Sequence, residues 1–280
     1  MIKLIVCDMD GTLLNKEKRM PNKMPELLSQ LQEDGVIFVA GSGRQYASLC
    51  KLFSFHKDHM YFISDNGCMV VRGKDDYIIS SHIMNKKDVM EIVKVSRGLP
   101  HTHIVLSGKN KAYYDMEEKL FQEHVVQYYP NSERVEDITQ VADDIIKVAI
   151  LNLNGTKEFV YPHVKQFDDE YLVCVSAFEW LDIMPNGVHK GNGVKVLQEQ
   201  LQISKMETMV FGDFMNDYEM LQEAYFSFAM KNGLDKVKEI SNFVTTYTND
   251  EEGVYQEICI WKENGWEKVK EIQKKIYKGI

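Results

Sequence analysis

The chain has 280 residues, of which 44% are hydrophobic and 11% aromatic, and its formal net charge is −9. This length exceeds the roughly 100–200 residues of a typical domain and favours two domains, while the apolar content excludes a disordered chain. The acidic balance argues against nucleic acid or an anionic membrane as a general partner, because both are bound by concentrated Lys and Arg.

The cysteines and the apolar runs indicate the compartment. The five cysteines are scattered and never form a Cys-x-x-Cys pair, which favours reduced thiols and gives no support to a zinc site. No stretch approaches the roughly 20 apolar residues of a membrane span, and the apolar run at residues 4–7 is too short for a signal peptide. We therefore expect a cytoplasmic protein with no membrane partner, and the sequence implies no protein partner.

Three short apolar runs in the first third predict buried strands at residues 2–7, 36–40 and 61–64. Between the first two, residues 25–34 carry a helical apolar stripe that stops at Gly35. Each predicted strand ends in small, polar or charged residues. Because the carboxyl ends of parallel strands share one edge of a sheet, we expect these residues to meet there.

The pattern changes in the middle of the chain and then returns. From residue 82 to residue 185 we predict a helix at 85–96 and strands at 145–151 and 171–175, with no recognisable chemical motif. After this segment come a predicted helix at 191–201, strands at 208–212 and 227–230, and an amphipathic helix at 266–276 with Trp266, Val269, Ile272 and Ile276 on its apolar face.

This alternation predicts an α/β fold with a doubly wound, mainly parallel, Rossmann-like core. The core would comprise residues 1–81 and 186–280, and an inserted α/β cap domain would comprise residues 82–185.

Four motifs stand at predicted strand ends or helix starts. They are Asp8-Met9-Asp10-Gly11-Thr12, Ser42-Gly43-Arg44, Lys190-Gly191 and Gly212-Asp213-Phe214-Met215-Asn216-Asp217. Two carboxylates that flank one residue repel each other, so the first motif invites a metal ion or a proton. An EF-hand calcium loop would need further acids and a terminal Glu, which are missing here.

The carboxylates supply the groups that phosphoryl transfer through an enzyme side chain needs. Asp8 can attack phosphorus. Asp10 can protonate the departing oxygen and later remove a proton from the hydrolytic water. Asp213, with Asp8 and the Asp10 carbonyl, offers hard oxygen ligands to Mg²⁺. Asp217 can support the metal or Lys190.

The remaining motif residues suit a phosphate group. Ser42 and the Gly43 amide can donate hydrogen bonds to a phosphoryl oxygen, and Lys190 adds positive charge at the start of a helix. Asn216 can also contact the phosphate. The pattern Gly41-x-Gly43 is similar to a dinucleotide-binding fingerprint but lacks its third glycine.

Two asparagines outside these motifs, Asn66 and Asn232, each precede a glycine. We interpret both as turn residues with left-handed backbone rather than as ligands, because asparagine tolerates that conformation.

The order of the four motifs resembles that of haloacid dehalogenase (HAD) superfamily phosphatases, in particular the Cof-like branch, in which the cap is inserted between the second and third motifs. Further matches are Ser64-Asp65-Asn66-Gly67, Pro185-Asn186-Gly187-Val188, Ala229-Met230-Lys231-Asn232 and Glu252-Gly253-Val254. The resemblance implies a nucleophile at Asp8, an acid/base at Asp10 and a magnesium site at Asp8, Asp10 and Asp213. It also implies phosphate contacts from Met9, Ser42, Gly43, Lys190 and Asn216.

We therefore expect a magnesium-dependent phosphatase that hydrolyses a small phosphorylated metabolite through a phosphoaspartyl intermediate. A sugar phosphate is the first expectation for the substrate and a cofactor phosphate the second. Two alternatives stay open: a phosphomutase or phosphotransferase that uses the same intermediate, and a non-catalytic protein that binds a phosphorylated ligand.

Overall fold

A computed structural model describes the backbone of residues 1–277 and their side chains, apart from those at 127, 267, 268, 270 and 272–277. The chain divides into two compact units. Unit 1 comprises Met1–Gly43, Phe53–Ile79 and His189–Ile280, and unit 2 comprises Arg44–Leu52 and Ser80–Val188. No helix within the described part of the chain is both long and apolar enough to span a membrane.

The strands form two sheets. They are β1 (Leu4–Asp8), β2 (Ile37–Gly41), β3 (Met60–Ser64), β4 (Met69–Arg72), β5 (Tyr77–Ser81), β6 (Thr102–Gly108), β7 (Ala112–Tyr114), β8 (Ser132–Arg134), β9 (Ile145–Asn152), β10 (Tyr171–Val175), β11 (Trp180–Pro185), β12 (Thr208–Gly212), β13 (Phe226–Ala229) and β14 (Phe243–Val244).

The α-helices vary from one turn to 25 residues. They are α1 (Met24–Glu33), α2 (Tyr46–Leu52), α3 (Lys86–Arg97), α4 (Lys119–Tyr128), α5 (Thr156–Phe159), α6 (Tyr161–Val164), α7 (Lys190–Leu201), α8 (Tyr218–Gln222), α9 (Asp235–Ile240) and α10 (Gly253–Tyr277).

The larger sheet has eight strands in the order β14-β13-β12-β1-β2-β3-β4-β5. Strand β1 lies at its centre and pairs in parallel with β2 on one side and β12 on the other, while β4 runs antiparallel to β3. All five residues of β1 are buried, as the continuous apolar run predicts for a strand covered on both faces. The predicted doubly wound, mainly parallel core is thus confirmed.

Two helices show how the sequence pattern produces the core of unit 1. The buried side chains of α1 are Met24, Leu27, Leu28 and Leu31, which form the predicted stripe, and Gly35 follows with φ 73°, in the left-handed region that favours glycine. Helix α7 buries Val194 and Leu197 against β1 and β12 residues such as Val6 and Val210. These contacts fix the start of α7 near the carboxyl ends of the central strands.

Unit 2 contains a six-stranded sheet in the order β10-β11-β9-β6-β7-β8. Its pairs are antiparallel except for β7 and β8. Alternation along β9 separates two apolar clusters: Val148 and Ile150 pack with residues of α3, whereas Ala149 and Leu151 pack with Phe121 and Val125 of α4. Helices therefore cover both faces of this sheet at least in part.

The carboxyl-terminal helix is longer than the pattern predicts. Helix α10 begins at Gly253 instead of residue 266, and its backbone breaks helical geometry at Gly265, where φ is 70°. Trp266, just after this break, stacks on Phe226 with ring centroids 3.7 Å apart. Of the predicted stripe, the side chains of Ile272 and Ile276 lie outside the described residues. The boundaries predicted for the core and the cap remain predictions.

Candidate active site

Three carboxylates meet at the carboxyl ends of β1 and β12. Asp8 is the last residue of β1, and Asp213 follows the last residue of β12, its parallel neighbour. Asp217 comes from the turn after Asp213. Each of the three offers a carboxylate oxygen within 4.8 Å of the others. Hard oxygen donors at this spacing suit a divalent cation.

Lys190 lies between two of these acids. It begins α7, its side chain is 0% exposed, and its Nζ donates to Asp8 Oδ1 at 2.5 Å and to Asp217 Oδ1 at 2.7 Å. Burial opposes the charge on Lys190, but the negative charges of Asp217 and Asp8 outweigh burial and hold its pKa above the usual value. Lys190 is therefore a fixed positive charge beside Asp8.

The carboxylate of Asp217 is fully engaged within the protein. Besides the contact with Lys190, its Oδ2 accepts hydrogen bonds from the backbone N–H groups of Asp213 at 2.9 Å and Phe214 at 3.1 Å. A Cβ atom at Gly212 would lie 2.5 Å from that of Asp217, so this close approach requires glycine. Asp217 thus braces Lys190 and the turn, and Asp8 and Asp213 are the better cation ligands of the three.

The site is short of positive charge. Burial raises the pKa of Asp8 well above its ordinary value, and the charge of Asp217 raises it further against the opposing effect of Lys190. For Asp213, burial is the largest effect, the hydrogen bond from Thr12 opposes it and Asp217 reinforces it, so that the pKa rises to about 6. Because three carboxylates lie close to a single ammonium group, the site favours the binding of protons or of a cation.

Stability in chelator should therefore fall as pH rises from about 4 to about 6. The pKa of Asp213 in the folded protein, about 6, exceeds its ordinary value of 3.8, so the folded state binds the extra proton in this window and unfolding becomes easier as the proton leaves. Mg²⁺ should flatten this slope because it takes the place of the proton. Melting temperature measured across the window with chelator and with Mg²⁺ checks this. Asp213→Asn should reduce the slope, and a melting temperature that rises with pH in chelator contradicts the assignment.

Asp10 has a different environment from that of the three clustered acids. Its Oδ1 accepts a hydrogen bond from Lys18 Nζ at 2.7 Å, and the two side chains are 37% and 62% exposed. Lys18 has φ 60° and lies in a tight turn in which its N–H donates to the carbonyl of Asn15. The structure therefore brings Asp8 and Asp213 together with Asp217, and it directs the Asp10 carboxylate to a lysine that sequence reasoning missed.

Asn66 lies beside Ser42 and Gly43, the residues of the second motif that are predicted to bind phosphate. The carbonyl of Ser42 accepts from the N–H of Asn66 at 3.0 Å, and a Cβ on Gly43 would lie 3.1 Å from Asn66 Oδ1. The same Oδ1 accepts from Asn216 Nδ2 at 3.2 Å. Asn66 has φ 56°, which confirms its predicted left-handed backbone. Asn66 thus connects the loop after β2 with the turn after β12.

Asn232 does not adopt the predicted left-handed backbone: it is absent from the described non-glycine residues with positive φ. Its side chain instead donates to the carbonyl of Gly11 at 2.8 Å and accepts from the N–H of Asn249 at 3.0 Å. Thr12 likewise contributes a bond that sequence reasoning missed, from its Oγ1 to Asp213 Oδ1 at 2.7 Å. The hydrogen bond from Thr12 to Asp213 joins the first motif to the last one. The spacing of residues in the sequence does not predict such bonds.

Met9 lies between the two acids of the first motif and is fully buried. Its carbonyl accepts a hydrogen bond from the N–H of Leu14 at 2.8 Å, and the carbonyl of Asp8 accepts from Leu13 at 3.2 Å. The chain therefore turns sharply at the end of β1, and this turn holds Asp8 and Asp10 at the sheet edge. Met9 can reach a ligand only through its backbone, because its side chain is packed inside the protein.

A buried lysine beside clustered carboxylates at the carboxyl edge of a parallel sheet is typical of α/β proteins that bind or transfer phosphoryl groups. The chain belongs to the haloacid dehalogenase-like hydrolase family, whose model matches residues 5–258. The resemblance predicted from the four motifs, including that to the Cof-like branch, is thereby confirmed. The protein is an enzyme of the phosphatase class.

Relatives with known names support this class. The chain is 33% identical over 264 residues to YbjI of Escherichia coli (strain K12), a 5-amino-6-(5-phospho-D-ribitylamino)uracil phosphatase, with 90% of this chain and 93% of that protein covered. It is 26% identical to YitU of Bacillus subtilis (strain 168), a protein of the same name, with 90% and 94% covered. The crystal structure of SMU.1108c from Streptococcus mutans UA159 superposes with a TM-score of 0.80 at 27% identity and covers 94% of this chain and 99% of that one.

Proposed function

We propose that the protein is a magnesium-dependent phosphatase that hydrolyses a small phosphorylated metabolite through a phosphoaspartyl intermediate on Asp8. The observation that carries this proposal is the position of Lys190 Nζ, 2.5 Å from the Asp8 carboxylate. A carboxylate approaching a phosphate dianion meets repulsion, and a buried ammonium at this distance offsets it. Lys190 also fixes the orientation of the Asp8 side chain through its second bond, to Asp217.

In the first half-reaction, a carboxylate oxygen of Asp8 attacks phosphorus, and the bond between phosphorus and the leaving oxygen breaks. The electron pair of that bond goes to the leaving oxygen, which takes a proton from the carboxyl group of Asp10. The products of this step are a neutral alcohol, an acyl phosphate on Asp8 and the Asp10 carboxylate.

In the second half-reaction, water attacks the same phosphorus while Asp10 removes a proton from it. The bond from phosphorus to Asp8 breaks and returns its electron pair to the carboxylate, which releases inorganic phosphate and restores both acids. Lys18 Nζ donates to Asp10 Oδ1 at 2.7 Å and so restrains the orientation of this carboxylate.

The phosphoryl oxygens would be held by groups from all four motifs. Ser42 and the backbone amide of Gly43 donate from the loop after β2, and the Asn216 amide donates from the turn after β12. The backbone of Met9 and the ammonium of Lys190 complete the set. Because Asn66 donates to the carbonyl of Ser42 and accepts from Asn216, it positions two of these residues relative to each other.

Asp8 and Asp213 would hold Mg²⁺, together with the backbone carbonyl of Asp10. The fit is supported by the surplus of negative charge, since three clustered carboxylates face one lysine, and by the hard oxygen character of every donor. When bound, the ion supplies positive charge that stabilises the transferring phosphoryl group.

The substrate that we propose first is a phosphate ester of the kind named for the two relatives, 5-amino-6-(5-phospho-D-ribitylamino)uracil. Its support is sequence identity along most of both chains, 33% and 26%. This compound is the phosphate of a sugar alcohol joined to a heterocycle, so it falls between the sugar phosphates and the cofactor phosphates that the sequence suggests.

A phosphate-release assay tests the proposal. We expect Mg²⁺-dependent release of inorganic phosphate from a narrow group within a panel of sugar, nucleotide, cofactor and ribitylaminouracil phosphates, and none in chelator. Asp235→Asn, which changes an exposed acid of α9, is a control that should act like the wild type. Failure to release phosphate from every member of the panel and from a chromogenic aryl phosphate contradicts the proposal. Recovery of the phosphoryl group on a second sugar hydroxyl would instead establish the mutase.

A further inference from the structure

Unit 1 contains a short segment outside the four motifs that contacts the turn after β1. This segment, residues 248–252, follows β14, and we call it the strap. The side chain of Asn249 donates to the carbonyl of Leu14 at 2.9 Å, and Asp250 Oδ1 accepts from the N–H of Lys16 at 2.9 Å. The partners in these bonds are 235 and 234 residues apart in the chain, so the contacts are a product of the fold.

The strap has a backbone that its own hydrogen bonds hold in place. Asn249–Glu251 form one turn of 3₁₀ helix, and Glu251 Oε2 accepts from both the N–H and the hydroxyl of Thr248 at 3.0 Å. Glu252 has φ 60°, a left-handed conformation that persists in a non-glycine residue only when its surroundings fix it. The side chain of Asn249 is therefore presented from a preorganised turn.

One branch of contacts runs from Asn249 to the residue before Asp10. The carbonyl of Leu14 accepts from Asn249, and the N–H of Leu14 donates to the carbonyl of Met9 at 2.8 Å. Leu14 is fully buried and forms an isolated parallel bridge with Asp10. Loss of the Asn249 amide would deprive the carbonyl of a buried residue of this donor, which is unfavourable. This branch thus fixes the backbone on the amino-terminal side of Asp10.

A second branch runs from Asn249 to the residue after Asp10. The N–H of Asn249 donates to Asn232 Oδ1 at 3.0 Å, and Asn232 Nδ2 donates to the carbonyl of Gly11 at 2.8 Å. Gly11 has φ 85°, and a Cβ atom at this position would clash with the Asp213 carboxylate. The backbone on the carboxyl-terminal side of Asp10 is therefore tied to the strap and packed against Asp213.

The Asp10 side chain needs such support from its backbone. It is 37% exposed, so core packing holds it only in part, and its contact with Lys18 is to a long side chain that is 62% exposed. A general acid has to lie within hydrogen-bond reach of the leaving oxygen, and a displacement of about 1 Å can cost about 10²-fold in rate. The position of the Asp10 carboxyl group therefore depends on where the turn places its backbone.

We propose that Asn249 is a positioning residue for the proton transfers of Asp10. It does not touch the substrate, and it acts through Leu14 and Asn232 on the backbone at either side of Asp10. This proposal rests on the proposed phosphatase function and deepens it, because it names a residue outside the four motifs that sets the geometry of the acid/base.

The test compares two phosphate esters in Asn249→Ala. Departure of the alcohol from the best alkyl phosphate of the panel needs a proton from Asp10, whereas 4-nitrophenolate is a stable anion and leaves 4-nitrophenyl phosphate without one. Because kcat/KM covers only the steps up to departure of the leaving group, the later attack of water does not enter. We expect kcat/KM to fall by about 10- to 100-fold for the alkyl ester and by less than about threefold for the aryl ester. The reason is that general acid catalysis contributes about 10²–10⁴-fold and a displaced acid loses part of it.

Asn242→Ala is the matched control. The side-chain amide of Asn242 also donates to a backbone carbonyl of unit 1, that of Tyr225, at 2.7 Å. These two residues precede the parallel strands β14 and β13, so they lie at the opposite edge of the sheet from the site. The control should leave both kcat/KM values unchanged.

Equal losses for the two esters in Asn249→Ala would show a general structural role and overturn the proposal, as would no loss for either. If Asn249→Ala does not fold, Asn232→Ala interrupts the second branch and should show the same selective loss.

A double-mutant cycle identifies the group through which Asn249 acts. Asp10→Asn removes the acid itself and should cost the alkyl ester more than Asn249→Ala does. In the Asp10→Asn background, Asn249→Ala should change kcat/KM for the alkyl ester by less than about twofold, because no acid is left to displace. Losses that multiply in the double variant would show that Asn249 acts independently of Asp10 and would contradict the proposal.

Hydrogen–deuterium exchange separates this proposal from the proposed function. We expect the backbone amides of residues 10–16 to exchange about 2- to 10-fold faster in Asn249→Ala than in the wild type, because one hydrogen bond to the turn is lost, and no faster in Asn242→Ala. Faster exchange in a protein that hydrolyses neither ester supports the link between the strap and the turn and contradicts the phosphatase. Unchanged exchange with an active wild type overturns the link and leaves the phosphatase intact.

Discussion

Asp8→Asn should reduce phosphate release by more than about 10³-fold while the protein stays folded. An amide nearly matches the carboxylate in shape but is a poor nucleophile, so no acyl phosphate can form at this position. Burial and the neighbouring carboxylates raise the pKa of Asp8, which means that the folded state disfavours its charge. The variant should consequently melt no lower than the wild type in chelator near neutral pH. Steady-state kinetics on the best substrate of the panel and calorimetric melting measure the two effects.

Asparagine can deamidate to aspartate and restore the enzyme, so the mass of the tested sample has to confirm that the amide is intact. Asp235→Asn serves as the matched control and should retain both activity and stability, since that acid is on the surface. Full activity in an intact Asp8→Asn sample would remove Asp8 from its role as nucleophile. A large loss of melting temperature would show that the side chain matters more for folding than the site geometry indicates.

Lys190→Met should damage both stability and catalysis. The change removes a fully buried ammonium bonded to Asp8 and Asp217 and leaves their carboxylates facing each other and Asp213. Removing one partner from a buried ionic group costs about 3–5 kcal/mol, and losing a charge at the phosphoryl group costs about 10²–10³-fold in kcat. The loss of stability should be largest near neutral pH and smaller in acid, where protonation relieves the repulsion. Denaturant unfolding at two pH values measures this difference.

The matched control for this variant is Lys238→Met, which removes a surface ion pair with Asp235 and should cost less than about 1 kcal/mol. Addition of Mg²⁺ should restore part of the stability of Lys190→Met, because the ion neutralises the same carboxylates. If the variant unfolds like the wild type at neutral pH, Lys190 does not balance the charge of the site. If Mg²⁺ leaves the variant unchanged, the cation does not bind these acids.

The sequence could predict the core of the site because each motif directly follows an apolar run. Strand β1 must be buried on both faces, so the acids after it can only emerge at its carboxyl edge, and the same holds for β12 and Asp213. The pairing of β1 with β12 then brings Asp8 close to Asp213, and the packing of α7 on these strands brings Lys190 to Asp8. The apolar pattern of the sequence predicts the strands, and the topology of a parallel sheet predicts that their carboxyl ends lie at one edge.

Other features depend on contacts that periodicity does not encode. Lys18 is one of several charged residues in a polar turn, and only the folded backbone shows that it reaches Asp10. The sequence predicts that Asp217 supports either the metal or Lys190. Only the folded structure shows that hydrogen bonds from Lys190 and from two backbone N–H groups occupy both of its carboxylate oxygens.

The central position of β1 has a consequence for how the protein is made. One neighbour of β1 is synthesised soon after it, whereas the other, β12, leaves the ribosome only after about 200 further residues. Until then one edge of β1 has unpaired backbone groups, which is a risk for aggregation. Asp8 also lacks its ion-pair partner Lys190 until late in synthesis. The long intervening segment changes equilibrium stability little, because loop-closure cost grows only with the logarithm of length. It slows folding, since the pairing that completes unit 1 is highly non-local, and a nascent chain should gain its activity in one late step.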